Sequence, residues 1–272
     1  MTEDTTTVLE RIVAETRTEV GRRKRELPLQ ALRAAALGDA RQAEAGRRFH
    51  DALNGSGVGV IAEFKRRSPS AGALREQPDL ANIVSAYERG GAVAVSILTE
   101  GPNFEGALDD LRTARGACDL PLLRKDFVVD AYQLYEALAA GADAVLLIVA
   151  ALTAAELAAL HACSLELGLD ALVEVHDREE LRSALEVGAD IVGVNNRDLR
   201  DFSVDLQRTE ALMEHMPSGV TVVSESGIAG VEQVRRLRAR GVQAVLVGES
   251  LMRSDDPAAA LRALTSERRG MI

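Results

Sequence analysis

The sequence predicts an α/β protein in which eight parallel strands alternate with helices and close into a (β/α)8 barrel. Four apolar, β-rich runs each follow a glycine-containing stop, and they start at Gly91, Gly141, Gly188 and Gly241, about 50 residues apart. This interval is about twice the length of a compact βα unit, so a further strand is expected between successive runs. Runs as continuously apolar as these are typical of strands buried on both faces, as in a parallel sheet.

Each of the eight strands has a candidate segment in the sequence. In chain order, the candidates are residues 58–63, 91–98, 121–125, 141–148, 171–175, 188–194, 220–224 and 241–247. An open doubly wound sheet is the alternative arrangement, but such a sheet normally carries a G-x-G-x-x-G turn after its first strand. The sequence has no such turn, which favours the closed architecture of a TIM barrel.

Helical patterns fill the intervals and also precede the first strand. Those in the intervals cover residues 131–140, 154–167, 178–186 and 231–240, and Thr153 with Glu156 forms a capping-box pattern at the start of the second. Residues 1–57 fall outside the repeat and have helical periodicity over 7–25 and 29–37. We therefore expect an N-terminal helical extension, residues 1–57, packed on a catalytic barrel, residues 58–272, as one structural domain.

Composition excludes several classes of protein. The chain is 47% apolar and 27% charged, with a net charge of −10 and a pI near 5.1. That balance argues against a broad nucleic-acid or anionic-membrane surface. The basic runs at 22–25 and 235–238 lie in helical patterns, and we interpret them as solvated helix faces.

The cellular setting is also predicted from what the sequence contains. Cys118 and Cys163 have no spacing typical of a disulfide framework or a zinc site. The polar, acidic start of the sequence does not resemble a secretory signal. The longest apolar stretch, 144–152, is far shorter than the ~20 residues of a membrane helix. We expect a soluble cytoplasmic protein, monomeric, with a homodimer as the alternative.

Polar residues recur at the carboxyl ends of the predicted strands, where the chemistry of a barrel is located. In strand order they are Glu63, Lys65 and Ser68, then Lys125, Glu174, Asn195 and Arg197, Glu225 and Ser226, and Gly248. Taken singly, Lys125 could pair with Asp126, Glu174 could be satisfied by a neighbouring lysine, and Lys65 could be surface charge. Taken together they indicate a functional site, because burying several unpaired charges at one end of a barrel is costly.

The loops after strands 7 and 8 predict a phosphate site. Residues 224–230 open the helical pattern after strand 7, residues 248–252 follow strand 8, and both segments contain glycine and serine. Small residues let backbone N–H groups approach phosphate oxygens, and a helix N-terminus adds favourable partial charge. Barrels often bind phosphate in these two loops.

The histidines offer less. His50, His161 and His215 are predicted at the surface, and His176, next to Glu174, is predicted to support the site or cap a helix. Histidines and carboxylates form no cluster with metal-ligand spacing.

Six segments of the sequence resemble indole-3-glycerol-phosphate synthases. They are residues 61–70 (IAEFKRRSPS), 123–127 (LRKDF), 172–176 (LVEVH), 193–199 (GVNNRDL), 224–228 (SESGI) and 247–252 (VGESLM). The first and fourth are highly specific to that family, and the resemblance extends from about residue 8 to residue 253. The loop 98–107 departs from the family pattern, since it is slightly short and carries Ala107 where a serine is common.

The resemblance implies ring closure of 1-(2-carboxyphenylamino)-1-deoxy-D-ribulose 5-phosphate to indole-3-glycerol phosphate, with loss of CO2 and water, in tryptophan biosynthesis. The substrate is a small sugar phosphate, and no organic cofactor or metal is required. The ketone oxygen needs a proton as charge develops, and Lys125 is our candidate general acid. Glu174 suits the proton transfers that release water. Burial raises and nearby lysines lower the pKa of these glutamates, and the sequence leaves that balance open.

The predicted site divides into catalytic and substrate-binding residues. The catalytic residues are Lys125, Glu174, Glu63, Lys65 and Asn195. The substrate-binding residues are Ser68, Phe127, Arg197, Glu225, Ser226, Gly227, Gly248 and Glu249. Two alternatives remain at this point: a phosphate-binding barrel aldolase that uses Lys125 as a Schiff base, and a non-catalytic barrel that sequesters a sugar phosphate.

Overall fold

The protein is described here by a computed structural model that covers residues 7–38, 48–198 and 203–269. Parts of two predicted regions therefore lie outside the described residues. They are 1–6 and 39–47 of the predicted N-terminal extension, and 199–202 and 270–272 of the predicted barrel.

Eight parallel strands close into a barrel in chain order, with the first strand paired to the last, which confirms the predicted fold class. The strands are β1 Gly59–Phe64, β2 Ala94–Leu98, β3 Leu122–Lys125, β4 Ala144–Ile148, β5 Asp170–Val175, β6 Ile191–Asn195, β7 Thr221–Glu225 and β8 Ala244–Val247. Residues 67–68 and 72–73 form a short antiparallel pair after β1.

Helices surround the barrel and precede it. They are α1 Val8–Glu26, α2 Leu29–Leu37, α3 Arg48–Leu53, α4 Leu80–Gly90, α5 Leu108–Ala117, α6 Ala131–Ala139, α7 Ala154–Glu166, α8 Arg178–Glu186, α9 Gln207–Met213, α10 Val231–Ala239, α11 Glu249–Met252 and α12 Pro257–Arg269. None of the helices within the described ranges has the length and apolarity that crossing a membrane requires.

Local sequence signals explain where these helices begin and end. The Thr153 side chain accepts the backbone N–H of Glu156, and the Glu156 side chain accepts that of Thr153, so the predicted capping box is confirmed. Gly91 ends α4 in the left-handed region at φ 90°, a conformation that costs glycine little because it has no Cβ. The glycine stops of the repeat therefore mark the passage from helix to strand.

Side chains alternate between two cores along each strand. On β1, Val60, Ala62 and Phe64 pack in the cluster between strands and helices, whereas Ile61 packs in a second cluster inside the barrel. Glu63 follows Ile61 by two residues and so faces the interior as well. This alternation is how an otherwise apolar strand presents a carboxylate to the centre of the barrel.

The short helix α3 covers the amino ends of the strands. Its Phe49 and Leu53 are fully buried against the interior cluster. The backbone N–H of His50 donates to the Asp170 carboxylate at the start of β5, at 2.9 Å. With this end covered, the open end of the barrel lies at the carboxyl ends of the strands.

Two interpretations of surface residues need correction. The basic run 22–25 is only in part a solvated face: Arg22 and Arg25 are exposed, but Arg23 binds the Glu136 carboxylate at 2.7 Å and Lys24 binds Asp130 at 2.6 Å, which fastens α1 to α6. His161 is only 6% exposed, because it lies on the same face of α7 as Leu157 and Leu160.

Candidate active site

A cavity of about 410 Å³ opens at the carboxyl ends of the strands, and every one of the predicted site residues lines it. The lining also includes apolar side chains from β4 and β8 and from the loop after β2. The strand-end residues are therefore brought to one pocket, as the predicted barrel requires.

Lys125 lies at the centre of the charged part of this cavity. Its Nζ is 3.1 Å from Oε2 of Glu174 and 3.3 Å from Oε2 of Glu225. It does not pair with Asp126, whose carboxylate instead binds the buried Arg124 at 2.8 Å. The ammonium thus lies between two carboxylates that β5 and β7 bring to it across the barrel.

Glu174 is held at both carboxylate oxygens. Oε2 faces Lys125, while Oε1 accepts a hydrogen bond from the Asn195 side chain at 3.1 Å and lies 3.5 Å from Nε2 of His176. Asn195 in turn accepts hydrogen bonds from the Ser226 hydroxyl at 2.9 Å and from the Arg197 backbone N–H at 3.0 Å. The amide of Asn195 therefore links the charged part of the site to the loop after β7.

Burial and charge act differently on the two carboxyls beside Lys125. Burial disfavours ionisation of Glu174, but the charges of Lys125 and His176 and the Asn195 hydrogen bond outweigh it and lower the pKa. At Glu225, burial and the nearby Glu174 charge outweigh Lys125 and raise the pKa to about 7. At neutral pH Glu174 is therefore a carboxylate, and Glu225 titrates close to neutrality.

The same carboxylates keep Lys125 charged. Burial favours the neutral amine, but the charges of Glu174, Glu225 and Glu63 prevail and raise the pKa of Lys125 well above its usual range. A protonated amine can donate a proton but cannot attack a carbonyl carbon.

A second ion pair lies on the β1 side of the pocket. Nζ of Lys65 is 2.6 Å from Oε1 of Glu63, and the Glu63 side chain is 5% exposed. Gly248, at the start of the loop after β8, leaves room for this carboxylate, since a Cβ there would lie 2.4 Å from Oε1. Gly248 therefore has a steric role beside the phosphate-binding role predicted for it.

Backbone donors gather in the loops after β7 and β8. Ser226 and Gly227 adopt positive φ angles of 63° and 80°, and α10 begins shortly afterwards at Val231. Glu249 starts α11 directly after Gly248. The Ser250 hydroxyl is buried without a hydrogen-bond partner among the described residues. Backbone N–H groups and a hydroxyl in this arrangement suit an anion with several oxygens.

The opposite wall of the pocket is apolar. Phe127 is 8% exposed and its ring lies 6.4 Å from the ring of Phe104, which comes from the loop after β2. Leu146 and Ile148 of β4 complete this wall. A flat aromatic group fits such a wall, while the charged residues lie towards the barrel axis.

Sequence reasoning missed several residues that line the pocket. Phe104 and Arg253 were not predicted, and Ser250 lies within the predicted phosphate loop 248–252 but was not named as a site residue. Phe104 lies in the loop that departs from the family pattern, where no spacing rule applied. Arg253 lies one helical turn beyond Glu249 and pairs with it at 3.2 Å, so the predicted phosphate loop was simply drawn one residue too short.

Within the described ranges, no group of three or more His, Cys, Asp or Glu side chains is placed to bind a metal ion. The charged side chains of the pocket instead pair with one another.

Comparison with known proteins extends the resemblance to nearly the whole chain. Residues 9–264 match the family model described as indole-3-glycerol phosphate synthase. The indole-3-glycerol phosphate synthase 2 of Streptomyces coelicolor is 50% identical over 260 residues, which are 94% of this chain and 98% of that protein. That of Bordetella pertussis is 49% identical over 218 residues, 80% of this chain and 83% of that protein.

More distant solved structures share the fold alone. Thiamine phosphate pyrophosphorylase from Pyrococcus furiosus has a TM-score of 0.58 at 21% identity and covers 80% of this chain and 99% of its own. A mutant tryptophan synthase α-subunit from Pyrococcus furiosus has a TM-score of 0.59 at 14% identity, over 78% of this chain and 99% of its own.

Proposed function

The chain belongs to the indole-3-glycerol phosphate synthase family, and from this premise we propose how its own residues carry out the reaction. The reaction closes the ring of 1-(2-carboxyphenylamino)-1-deoxy-D-ribulose 5-phosphate to give indole-3-glycerol phosphate, CO2 and water. The enzyme acts on a small phosphorylated substrate in tryptophan biosynthesis.

The phosphate is held in the loops after β7 and β8. The backbone N–H groups of Ser226, Gly227, Gly248 and Glu249 act as donors, and the Ser68 hydroxyl contributes from the β1 side. Ser226 and Gly227 have positive φ angles, as in the turns that bind anions through backbone N–H groups, and both residues line the cavity. This places one end of the substrate on the far side of the pocket from Phe127.

The carboxyphenyl ring lies against Phe127 and the apolar wall. The Arg197 guanidinium suits the substrate carboxylate, because its planar fork matches the two carboxylate oxygens. With both ends fixed, the ketone lies over the barrel axis, close to Lys125. Holding the ring carbon and the ketone together contributes to the rate by proximity.

Lys125 acts as the general acid for ring closure. The aromatic carbon that bears the carboxylate attacks the ketone carbon, and the Lys125 ammonium protonates the oxygen as it becomes an alkoxide. The observation that carries this role is the position of Nζ between the Glu174 and Glu225 carboxylates, which keeps the proton on nitrogen until a strongly basic oxygen forms. CO2 then leaves, and its bonding electron pair restores the aromatic ring.

Glu174 handles the protons that release water. A proton delivered through Glu174 converts the new hydroxyl into a leaving water molecule. The former methylene carbon then loses a proton to the Glu174 carboxylate, which passes it over 3.1 Å to the neutral Lys125. Asn195 orients Glu174, while the Glu63–Lys65 pair and Glu225 surround the reacting carbon and set the local charge.

The test supplies the carboxyphenylamino-ribulose phosphate and follows indole fluorescence. Wild-type protein should produce the signal, and Lys125→Met, which keeps a similar shape without the charge, should lose at least ~100-fold in turnover. Borohydride treatment with a phosphorylated aldehyde should leave Lys125 unmodified. A stable adduct there would support the Schiff-base alternative, and a folded wild-type protein without a fluorescence signal would contradict the proposal.

We also propose that the enzyme works as a monomer in the cytoplasm. Every residue of the proposed site comes from one chain, so no second copy is needed to complete it. Cys118 and Cys163 are both free thiols, which suits a reducing compartment.

A further inference from the structure

A chain of three side chains leads from the active site towards solvent. Nε2 of His176 lies 3.5 Å from Oε1 of Glu174, and Nδ1 lies 3.0 Å from Oε2 of Glu180. The side chains of Glu174, His176 and Glu180 are 2%, 13% and 20% exposed, respectively. Exposure therefore rises step by step from the reacting centre outward.

The imidazole nitrogen of His176 that faces Glu174 lacks a hydrogen bond within the part of the chain that the structure describes. Nε2 of His176 is buried and has no hydrogen-bond partner among the described residues, and an oxygen of the Glu174 carboxylate lies 3.5 Å from it. A buried polar atom without a partner is costly and calls for an explanation. Exchange of a proton with Glu174 provides one, since shortening the 3.5 Å separation by a few tenths of an ångström makes a hydrogen bond.

Helix capping does not require the imidazole. The N-cap of α8 is Asp177, which accepts the backbone N–H groups of Glu179 and Glu180. Glu180 also accepts the backbone N–H of residue 176 at 2.7 Å, a bond that any residue other than proline offers. The imidazole ring of His176 is therefore not needed to cap the N-terminus of α8.

The reaction itself requires a proton from outside. The substrate carboxylate leaves as CO2 and takes no proton with it. The ketone oxygen needs two protons to leave as water, and the methylene carbon returns only one. Each turnover at neutral pH thus consumes one proton from solvent, although Glu174 is almost fully buried.

We propose that Glu180 and His176 supply this proton to Glu174, with His176 as a positioning residue that acts on the substrate only through Glu174. The inference rests on the proposed role of Glu174 in releasing water. The His176 imidazolium gives its Nε2 proton to Glu174, and Glu174 gives it to the departing hydroxyl. That leaves a neutral ring with its remaining proton on Nδ1, beside Glu180. The vacated Nε2 then takes a proton from solvent when the ring turns towards the more exposed Glu180 side, which restores the imidazolium.

The electrostatic surroundings suit an imidazolium at rest. Glu174 faces the ring from the end of β5, Glu180 from α8, and the positive Arg208 from α9. Burial favours the neutral ring, but the Glu180 hydrogen bond and the two negative charges outweigh burial and Arg208, so the pKa of His176 is raised. The raised pKa extends the imidazolium form of His176 to higher pH, and the relay loses its charge as the pH rises further.

The experiment compares kcat against pH for wild type, His176→Asn and Glu180→Gln. Asparagine can still donate to Glu180 but cannot titrate. In His176→Asn we expect kcat to fall at least ~10-fold with KM within about twofold, and the alkaline decline of kcat that belongs to His176 to disappear. In Glu180→Gln that decline should move to lower pH. Glu179→Gln, on the same helix but paired with Arg182 at the surface, should match wild type.

Two further measurements distinguish a failure of the relay from misfolding of a variant and from a failure of the proposed function. NMR titration should give His176 a pKa above the ~6.5 of a free histidine, and a lower one in Glu180→Gln. Four histidines occur in the chain, so His176→Asn assigns the signal. A pH indicator should record one proton consumed per indole formed.

Each outcome decides one way. If wild type forms indole but His176→Asn keeps both its kcat and its alkaline decline, the relay is wrong while the enzyme assignment stands. A change confined to KM, or a His176 pKa at or below that of free histidine, would equally overturn it. If wild type forms no indole, the proposed function fails first, and the histidine titration still tests the relay.

Discussion

Gly193 makes room for Glu225. A Cβ at position 193 of β6 would lie 2.2 Å from Oε1 of Glu225, the oxygen that has no hydrogen-bond partner among the described residues. The other oxygen, Oε2, faces Lys125 at 3.3 Å. A single hydrogen atom on β6 thus allows the carboxylate on β7 to reach the barrel axis.

Gly193→Ala should therefore lower activity without unfolding the barrel. The added methyl group forces the Glu225 carboxylate to move, and Lys125 loses one of its two partners. We expect kcat to fall at least ~10-fold, measured by indole fluorescence, because charged groups in a water-poor site are sensitive to small displacements.

Gly116→Ala is the matched control for this substitution. Gly116 lies on α5, and a Cβ there meets nothing within 4 Å. Its kcat should equal that of wild type, and its free energy of unfolding should rise by up to ~1 kcal/mol, since alanine favours helix more than glycine. Equal kcat for wild type and Gly193→Ala would show that the position of Glu225 does not matter.

Glu225 should also leave a signature in the pH dependence of stability. Its folded-state pKa of about 7 lies above the 4.5 of an ordinary glutamate. The stability that the protonated carboxyl provides is therefore fully present below the unfolded-state pKa and is lost as pH rises through about 7. Over the same range Lys125 stays charged because its pKa is raised, and Glu174 stays ionised because its pKa is lowered.

The substitution Glu225→Gln removes this titration. Its free energy of unfolding, relative to wild type, should increase by roughly 1–3 kcal/mol between about pH 5 and about pH 8. Urea unfolding at the two pH values measures the difference. Glu232→Gln, at an exposed position paired with Arg235, should show no such trend. A relative stability that decreases with pH would contradict the raised pKa.

Ala107 leaves a helix start without a side-chain cap. It is the N-cap of α5 in extended conformation, φ −148° and ψ 155°, and only its backbone N–H is engaged, by the Asp110 carboxylate at 2.9 Å. Ala107→Ser should add a hydroxyl that accepts the Asp110 backbone N–H and should stabilise the protein by about 1 kcal/mol. Thermal unfolding tests this, with Ala117→Ser at the other end of α5 expected to give no gain.

Much of the barrel could be predicted because its signals are local. Glycine stops and continuous apolar runs locate the strands to within three residues, since a parallel strand is buried on both faces wherever it lies. The residues at the strand ends then converge without further information, because closure of the barrel brings the ends together. Lys125, Glu174 and Glu225 were placed in one pocket on that argument alone.

The partners of each charge could not be predicted in the same way. The separate pKa shifts of Glu174 and Glu225 depend on His176 and Asn195 facing one carboxylate and not the other. The role of Arg23 depends on where α1 lies against α6, which no periodicity specifies. These features depend on contacts between residues that are far apart in the chain, and a local sequence pattern does not specify such contacts.

Glu136 is the point at which the N-terminal helix is fastened to the strand that carries Lys125. Its carboxylate, 6% exposed, binds Arg23 of α1 at 2.7 Å and the buried Arg124 of β3 at 3.3 Å. Glu136→Ala should cost about 3 kcal/mol in urea unfolding, because it leaves the charge of Arg124 with only one carboxylate partner. Arg23→Ala should cost less, since its side chain is 23% exposed, and Arg22→Ala, exposed on the same helix, should stay within about 0.5 kcal/mol of wild type. Because Arg124 precedes Lys125 on β3, Glu136→Ala should lower kcat as well, although residue 136 itself lies outside the cavity. If the three variants had equal stability, the ion-pair network would not be what anchors α1 to the barrel.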